Sequence, residues 1–383
     1  MVVVFSGGGT AGHFHPARNI AETLADVLPG AEPYFVGTEG RIEARELPRL
    51  GYPYRLLSVA GLMHPFRSGR PLSAVAANVH ALWLLFLAVC RLVPDFRRRR
   101  ARAVVLTGGY VCAPAGIAAR LLGLPVVLQE QNTHPGKTTR LIARWARQIH
   151  VAYPEAKSAL PARARARVRD TGNPIRPLPA AEARDAGDAR RALGLPADGA
   201  VVLVVGGSQG ARKINQATIE ALQDDLQIDG EFVLWITGPA HYEAVATKLG
   251  KVRSGRFAVV SYLEPARMYQ ALAAADVTVS RAGAMATSEF LAWGLPSILV
   301  PLPTAAADHQ THNARTLAAA GAAVHLPERD PEGRELTGER LWSEVTKLLR
   351  APGALARMAD AASRRARPGA AREVAAAIAE VIG

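Results

Sequence analysis

Short apolar runs that end close to a glycine recur along this chain and predict its fold class. They lie at residues 2–5, 34–36, 104–106, 126–128, 201–205, 232–236, 277–279 and 297–300. Alanine- and leucine-rich stretches of helical length separate them. Strands without a polar face are typical of parallel sheets covered by helices on both sides. The sequence therefore predicts an α/β protein with parallel sheets.

The same order of strand, glycine loop and helix begins twice, at residue 2 and again near residue 200. A polar, proline-rich stretch at 174–196 precedes the second start, and we interpret it as a linker. Because domains usually have roughly 100–200 residues, a chain of 383 residues favours two of them. We therefore predict two Rossmann-like domains with a cleft between them.

The composition excludes several classes of protein. The chain is 49% hydrophobic and 21% charged and has no Gly-X-Y period, which excludes a disordered or a collagen-like chain. Two cysteines, Cys90 and Cys112, are too few for a disulfide scaffold and indicate a reducing, cytosolic setting. No basic segment precedes the first apolar run, which we interpret as a buried strand and not as a signal peptide.

The charge of the chain is strongly basic, with 46 basic and 33 acidic side chains and a formal net charge of +13. Such an excess attracts nucleic acids, anionic lipids and phosphorylated substrates alike. A GC-rich genome also favours arginine and so produces a positive net charge without any selection for a partner. The charge alone therefore identifies no partner. Since no nucleic-acid recognition motif accompanies it, no nucleic-acid partner is predicted.

The segment from Ala81 to Cys90 contains no polar residue. It is shorter than the about 20 residues that span a bilayer, and we interpret it first as a core helix. The alternative is a helix at an anionic membrane surface, because arginines follow closely at positions 91, 97, 98, 99, 100 and 102.

The first glycine loop, residues 7–12, lies between the first strand and a helix predicted at 17–28. Glycines let the backbone approach an anion, and a helix N-terminus offers free N–H groups to a phosphate. The glycine spacing also fits a dinucleotide fingerprint, with Glu39 where a ribose-binding acid is expected. An NAD-dependent oxidoreductase therefore stays an alternative.

The second half carries two more loops of small residues. Residues 206–211 read Gly-Gly-Ser-Gln-Gly-Ala and lack the lysine of an ATP-binding Walker loop. Residues 280–289 form the other, and we place Glu289 in the first turn of the helix that follows. There the carboxylate is either stabilised by the helix dipole or contacts a ribose hydroxyl.

Polar side chains near residue 310 are candidates for binding a sugar. Gln310 and Asn313 lie three residues apart, on one face of a predicted helix, where their amides can reach hydroxyl groups. His309 and His312 also share a face but have no third ligand nearby, so no metal site is predicted.

Seven sequence blocks follow one another along the first 320 residues. They are GGTAGHFHPA at 8–17, GGYV at 108–111, EQN at 130–132, TGNPIR at 171–176, GGSQGA at 206–211, RAGA through Glu at 281–289, and QTHNA at 310–314. Together they resemble the MurG family, the UDP-N-acetylglucosamine transferases that convert lipid I to lipid II in peptidoglycan synthesis.

The resemblance implies a GT-B glycosyltransferase with two Rossmann-like domains. It implies an acceptor- and membrane-side domain at 1–172, joined by a last helix at about 355–383, and a UDP-sugar-binding domain at 173–354. The implied reaction is an inverting transfer of N-acetylglucosamine from UDP-GlcNAc to the C4 hydroxyl of the N-acetylmuramic acid of lipid I. The implied location is the cytoplasmic face of the plasma (inner) membrane, peripherally bound to its anionic surface, with no cofactor or metal.

Family roles carry over to matching positions. The residues implied to bind UDP-GlcNAc are Thr10, Gly12, His13, Asn132, Arg176, Ser208, Leu263, Met285, Ala286, Glu289, Gln310 and Asn313. Arg176 and Ser208 are implied to contact the diphosphate, and Leu263 the uracil. Those implied to bind the acceptor diphosphate are Gly9, Thr10, Ala11, Gly109 and Tyr110.

His13 is the first candidate for the general base, because imidazole accepts a proton near neutral pH. The alternative role for His13 is to order the glycine loop by hydrogen bonding. Glu130 is the second candidate for the base, or it orients the loop that carries Asn132. Another GT-B enzyme that uses UDP-GlcNAc, with a different lipid acceptor or as a UDP-sugar epimerase, is the alternative function.

Four positions depart from the pattern that the resemblance implies. Ala11 replaces a common glycine, Gln129 a common histidine, Thr139 a frequent asparagine and Ala286 a frequent threonine. The changes lie partly on the acceptor side, where the methyl group of Ala11 narrows the space for the acceptor diphosphate. The sequence therefore supports the donor more strongly than the acceptor.

Overall fold

The computed structural model describes residues 1–62, 71–207, 210–250 and 255–382. They form two compact units, one of Met1–Arg176 with Pro368–Gly383 and the other of Pro177–Arg367. Each unit has a parallel sheet between layers of helices. The predicted fold class is thereby confirmed.

Among its described residues, the first unit contains seven parallel strands. They are β1 (Val2–Ser6), β2 (Glu32–Thr38), β3 (Tyr54–Leu57), β4 (Ala101–Leu106), β5 (Val126–Glu130), β6 (Gln148–Val151) and β7 (Val168–Asp170). Their order in the sheet is β3-β2-β1-β4-β5-β6-β7. The helices are α1 (Ala11–Val27), α2 (Ile42–Leu50), α3 (Pro71–Arg98), α4 (Cys112–Leu122), α5 (Lys137–Ile142), α6 (Ala156–Ala159) and α15 (Ala370–Ile382).

Strand β1 is apolar from Val2 to Phe5 because both of its faces are covered. Val3 and Phe5 lie in one cluster of buried side chains, which includes Ile378 of α15. Val4 lies in another cluster, which includes Leu92 of α3. Successive side chains of a strand point to opposite faces, so an unbroken apolar run is what two covered faces require.

In the part of the second unit that the structure describes, there are six parallel strands. They are β8 (Ala200–Val205), β9 (Glu231–Ile236), β10 (Phe257–Val260), β11 (Val277–Ser280), β12 (Ser297–Leu299) and β13 (Ala323–His325). Their order is β10-β9-β8-β11-β12-β13. The helices are α7 (Ala186–Leu193), α8 (Arg212–Gln223), α9 (Tyr242–Leu249), α10 (Pro265–Ala274), α11 (Ala284–Ala292), α12 (His309–Ala319), α13 (Gly338–Arg350) and α14 (Ala354–Arg365).

The strand order reverses at the first strand of each unit. β1 lies between β2 and β4, and β8 lies between β9 and β11. In doubly wound sheets ligands bind beyond the carboxyl ends of the strands at such a reversal. This topology places the candidate sites at the loops after β1 and β4 and at the loops after β8 and β11.

All eight predicted strands form, and five strands were not predicted: β3, β6, β7, β10 and β13. Four of these five, β3, β7, β10 and β13, lie at a sheet edge. β3 and β7 also contain charged residues among their apolar ones. β6 has the sequence Gln-Ile-His-Val, in which buried polar side chains hide the strand pattern.

Helical segments differ from the sequence-based expectation in three places. Helix α1 begins at Ala11, not at residue 17, because the backbone of Thr10 is extended and the loop turns directly into the helix. The stretch expected to be a linker contains α7, whose first turn is capped by Asp185. Helix α14 packs against α11 and α13 of the second unit, so α15 alone, and not the whole of 355–383, joins the first unit.

Helix α3 is long and has an unusual distribution of apolar side chains. By length and composition, its part Ser73–Arg98 is the one helix among the described residues that is long and apolar enough to cross a membrane. Only 22% of its most apolar window is buried. Ala81 and Leu92 face the core, as the core-helix interpretation requires, while a second apolar face is exposed.

Candidate functional site

The first glycine loop is closely packed from below. A Cβ atom at Gly8 would lie 1.5 Å from Oε1 of Glu43, and one at Gly109 would lie 2.4 Å from the carbonyl oxygen of Gly8. Gly9 and Gly109 also have positive φ angles of 81° and 83°. Only glycine meets both demands, so the loop backbone is held in one conformation.

Glu43 of α2 supports this loop and was not singled out by the sequence analysis. Its side chain is buried, and Oε1 accepts a hydrogen bond of 2.7 Å from the backbone N–H of Gly9. Oε2 is buried without a hydrogen-bond partner among the described residues. Burial raises the pKa of Glu43. The sequence does contain a signal for this role. Glu43 lies four residues before Leu47, a spacing that places its carboxylate on the buried face of α2.

His13 lies in the first turn of α1, where one ring nitrogen is held by the protein. Its Nδ1 atom is 2.8 Å from Oε1 of Gln131 and 3.2 Å from the carbonyl oxygen of Thr107. No described residue forms a hydrogen bond with Nε2. Thr10 and Gly12 are exposed beside it, and Ala11 is half-buried. The free nitrogen therefore belongs to a side chain at an open helix N-terminus.

Glu130 ends β5 and is buried, with both oxygens in use. Oε1 accepts hydrogen bonds from the backbone N–H and the side-chain amide of Asn132, at 3.0 and 3.2 Å. Oε2 accepts from the N–H of Gly136 at 3.4 Å. These contacts order the loop after β5 and place Asn132, which is only 9% exposed, under that loop. The geometry favours the orienting role of Glu130.

Tyr110 and Gly9 of the predicted acceptor set come together. A Cβ at Gly9 would lie 3.3 Å from the ring of Tyr110, which is half-buried. Gly109 precedes Tyr110 and underlies the same loop. Thr139, one of the departures from the family pattern, is buried in α5 at 3% exposure and so does not present its hydroxyl at a surface.

Arg176 is the last residue of the first unit, whereas the sequence analysis placed it in the second domain. It is half-buried, and its guanidinium makes no hydrogen bond or ion pair with any described residue. Burial and then the charge of Arg176 lower the pKa of His15, so the two side chains feel each other's charge. A free guanidinium of this kind is suited to an anionic ligand.

The loops of the second unit are packed at some glycines and open at others. A Cβ at Gly206 would lie 2.3 Å from the backbone nitrogen of Ala211, and one at Gly210 would lie 2.3 Å from the carbonyl oxygen of Thr237. A Cβ at Gly207 or at Gly283 would meet no atom within 4 Å. Ser208 lies outside the described residues. Leu263, expected at the uracil, is 7% exposed in the turn after β10.

Helix α11 begins at Ala284 with Gly283 as its N-cap, and no side chain caps its free N–H groups. Met285 and Ala286 occupy the first turn and are half-buried. Glu289 is the sixth residue of the helix, which overturns its expected place in the first turn. Because the dipole effect fades within one turn, that explanation of Glu289 is removed.

Gln310 and Asn313 of α12 make different contacts. Oε1 of Gln310 accepts a hydrogen bond of 3.0 Å from the N–H of Leu302, and the residue is half-buried. Asn313 is fully buried, and its amide donates to the carbonyl oxygen of Ala282 at 3.2 Å. Asn313 therefore supports the turn before α11 from the inside.

The alternative of an NAD-dependent enzyme relies on Glu39 as the acid that binds a ribose. Glu39 is exposed and accepts a hydrogen bond from the hydroxyl of Ser58. Within the described ranges, no group of three His, Cys, Asp or Glu side chains is placed to hold a metal ion.

Comparisons with known proteins identify the family of this chain. The glycosyltransferase family 28 N-terminal domain matches residues 3–151, and the family 28 C-terminal domain matches residues 201–374. The UDP-N-acetylglucosamine–N-acetylmuramyl-(pentapeptide) pyrophosphoryl-undecaprenol N-acetylglucosamine transferase of Moorella thermoacetica is 41% identical over 376 residues, 97% of this chain and 96% of that protein.

Solved structures give the same answer for the fold. The crystal structure of Acinetobacter baumannii MurG superposes with a TM-score of 0.74 at 28% identity and covers 99% of both chains. A UDP-GlcNAc 2-epimerase from Neisseria meningitidis has a TM-score of 0.61 at 13% identity over 99% of both chains, a likeness of fold alone. The chain therefore has the GT-B architecture and belongs to glycosyltransferase family 28, within it to the MurG family of N-acetylglucosamine transferases.

Proposed function

We propose that this chain transfers N-acetylglucosamine from UDP-GlcNAc to the C4 hydroxyl of the N-acetylmuramic acid of lipid I and so forms lipid II for peptidoglycan synthesis. The observation that carries the proposal is the 41% identity with the Moorella enzyme of that name over nearly the whole of both chains. The hydroxyl attacks the anomeric carbon from the face opposite UDP, and an α-linked donor becomes a β-linked product.

His13 is the proposed base for the attacking hydroxyl. Support comes from its open Nε2 atom, its half-buried position and the exposed helix N-terminus around it. Glu130 is proposed as a positioning residue, because its oxygens already accept three hydrogen bonds from the loop that it orders. A general base contributes about 10²–10⁴-fold to a reaction of this kind.

The departing UDP needs positive groups around its diphosphate. The proposed donors are the N-terminal N–H groups of α11 at Met285 and Ala286, the guanidinium of Arg176, and the hydroxyl of Ser208. Glu289 is proposed to bind the ribose, and Leu263 to lie at the uracil. Gln310 is proposed to read the sugar hydroxyls, with Asn313 holding the turn at Ala282 in place.

The proposed acceptor site uses the first glycine loop. Thr10 and Ala11 offer backbone N–H groups at the N-terminus of α1, where an anionic diphosphate is favoured. The N–H of Gly9 is held by Glu43, and Gly9 and Gly109 are proposed to let the diphosphate approach the backbone closely. Tyr110 lies against Gly9 and can donate its hydroxyl to the same anion.

Helix α3 is proposed to dock on the cytoplasmic face of the plasma membrane. Its exposed apolar side chains fall on one face of the helix, each between 53% and 63% exposed: Val75, Val79, Leu82, Trp83 and Phe86. The rings of Trp83 and Phe86 stack at 5.7 Å. A face of this kind, which the core does not cover, is suited to the headgroup and acyl boundary of a bilayer.

Basic groups for an anionic surface are present both at the end of α3 and on neighbouring helices. Arg98 and Arg99 are ion-paired with the buried Asp95, whereas four other arginines are exposed: Arg91, Arg97, Arg100 and Arg102. Helix α4 packs beside α3, and α5 packs beside α4. These two helices carry the exposed or half-exposed cations Arg120, Lys137 and Arg140, and the exposed Arg144 follows α5.

The decisive assay measures UDP release from UDP-GlcNAc with and without a lipid I analogue, with UDP-glucose as the control donor. Release that requires the acceptor and prefers the N-acetylated donor supports the transferase. A protein that binds UDP but shows no acceptor-dependent release contradicts it and favours the epimerase alternative. Conversion of UDP-GlcNAc alone to its 2-epimer would establish that alternative directly.

Membrane docking is tested by co-sedimentation with vesicles that contain neutral or anionic lipid. We expect wild type to sediment with anionic vesicles and to dissociate as salt is raised. The double variant Trp83→Ser, Phe86→Ser should lose binding, whereas Tyr54→Ser, a change of an exposed aromatic residue on β3, should not. Equal sedimentation of both variants contradicts the proposed face.

A further inference from the structure

Three buried amide side chains form a connected path to the imidazole of His13. Asn173, Gln129 and Gln131 are at most 2% exposed. Nε2 of Gln129 donates to Oδ1 of Asn173 at 3.1 Å, and Nε2 of Gln131 donates to Oε1 of Gln129. Oε1 of Gln131 then lies 2.8 Å from Nδ1 of His13. None of the three is among the residues that the sequence analysis gave a role in binding or catalysis.

The orientation of the Gln131 amide is fixed by backbone carbonyls. Its Nε2 atom donates to the carbonyl oxygens of Thr107, at 2.6 Å, and Gln129, at 3.1 Å. Turning the amide over would place Oε1 against these oxygens, none of which carries a proton. Since each buried polar group left without a partner is costly, Oε1 of Gln131 must face His13.

This orientation determines which ring nitrogen of His13 carries the proton. An amide oxygen and a carbonyl oxygen accept hydrogen bonds and cannot donate them. Nδ1 faces one of each, at 2.8 and 3.2 Å, and must therefore be the protonated nitrogen of the neutral ring. Nε2 is then left with a lone pair, the form that a base requires.

The ring is also confined from the other side. A Cβ at Gly108 would lie 2.7 Å from Nδ1 of His13, and one at Gly109 would lie 3.3 Å from Cδ2. The imidazole thus lies against a glycine turn with positive φ angles of 102° and 83°. The position of the imidazole depends on that backbone, and the choice of the ring nitrogen that carries the proton depends on Gln131.

We propose that Gln131 is a positioning residue that holds His13 in the Nδ1–H tautomer. Only the catalytic consequence of this proposal rests on the proposed function. The C4 hydroxyl proton of the acceptor passes to Nε2 as the new bond to the anomeric carbon forms. The bond to UDP breaks, and UDP leaves with the electron pair. Gln129 and Asn173 hold the Gln131 amide in this orientation through their hydrogen bonds.

The tautomer is measured first, without any substrate. Long-range ¹H–¹⁵N spectra of ¹⁵N-histidine-labelled protein at pH 8, where a free imidazole is neutral, distinguish a protonated Nδ1 from a protonated Nε2. The His13→Asn variant assigns the signal. We expect Nδ1–H in wild type; a dominant Nε2–H signal overturns the proposal, whether or not the chain is a transferase.

The second measurement compares two buried glutamines that each contact a histidine. Gln131→Met keeps the length of the side chain and removes the acceptor, whereas Gln148→Met removes the contact between Gln148 and His150 in β6. We expect the Gln131 variant to show a weaker Nδ1–H preference than wild type and to lose about 10- to 100-fold in kcat. Part of the preference and of the base contribution survives, because the carbonyl of Thr107 still accepts from Nδ1.

The Gln148 variant should keep both the tautomer of His13 and kcat. Thermal unfolding and UDP binding identify a Gln131 variant that has merely misfolded, in which case the wild-type spectrum decides. Normal turnover by a folded Gln131→Met protein overturns the proposal. If wild type shows Nδ1–H but transfers nothing to lipid I, the positioning inference stands and the proposed function fails.

Discussion

The carboxyl ends of the two sheets share one order of strand, glycine loop and helix, yet they differ in what surrounds the loop. In the first unit, Glu43, Gln131 and Thr107 fill the space beneath the glycines and fix His13. In the second unit, Gly207 and Gly283 border open space. The first loop fixes His13, the proposed base, and the second unit has at α11 a helix N-terminus without a side-chain cap, which is proposed to bind the diphosphate of the donor.

The largest effect is expected from His13→Ala in the filled site. Loss of the base should lower kcat by about 10²–10⁴-fold, while the affinity for UDP changes little because the donor loops of the second unit are intact. Acceptor-dependent UDP release measures kcat, and calorimetry measures UDP binding as the control. A loss of less than tenfold would demote His13 to a loop-ordering residue.

A pair of glycine substitutions tests the difference in packing directly. Gly109 and Gly207 have nearly equal φ angles of 83° and 82°. Gly207→Ala should cost about 1–2 kcal/mol from the left-handed backbone alone. Gly109→Ala adds a Cβ that would lie 2.4 Å from the oxygen of Gly8 and should cost about 2–5 kcal/mol in all. Urea unfolding measures both, and equal losses would mean that the two loops are packed alike.

Glu289→Gln should weaken donor binding and leave folding unchanged. A hydrogen bond to a charged group is worth about 1.5–3 kcal/mol, which corresponds to a roughly 10- to 100-fold rise in KM for UDP-GlcNAc. Steady-state kinetics measure it, with Glu332→Gln on an exposed loop of the same unit as the control. An unchanged KM would place the ribose elsewhere.

The smallest effect is expected on the pH dependence of folding stability. It compares a buried histidine of the first unit with a half-buried histidine of the second. Burial lowers the pKa of His150 to about 4, so between that value and about 6.5 the unfolded chain binds a proton that the folded chain does not. Stability therefore falls as pH falls through this window, by about 2 kcal/mol at pH 5.

The variant His150→Gln should lose that part of the pH dependence. His325→Gln in the second unit should remove less, because His325 is half-buried although its pKa is lowered in the same direction. Urea unfolding at pH 7 and pH 5 gives the comparison. A pH dependence that His150→Gln does not change would show that other groups dominate.

Features that depend on local pattern were predictable from the sequence. The eight apolar strands, the two glycine loops and their resemblance to one family rest on neighbouring residues, and the structure and comparisons confirm the fold and family. The start of α1 and the position of Glu289 were misjudged, because a helix end depends on the backbone of one or two residues such as Thr10 and Gly283.

Features that depend on distant contacts were not predictable. In the sequence, Glu43 resembles any other acidic residue of an amphipathic helix. The structure shows that its carboxylate accepts a hydrogen bond from the N–H of Gly9. Gln131 lies inside a recognised block, but its contact with His13 joins residues 118 apart and requires the strand order of the sheet. A buried polar residue gives no apolar pattern, which also explains why β6 was missed.

The return of α15 to the first unit has a consequence for how the chain is made. Val374, Ala375 and Ile378 cover the face of the sheet on which Val3 and Phe5 lie. The ribosome must therefore synthesise the whole of Pro177–Arg367 before that face can be covered, a delay of roughly 10–40 s at bacterial and eukaryotic speeds. During that interval the nascent first unit exposes an apolar surface that a chaperone would bind.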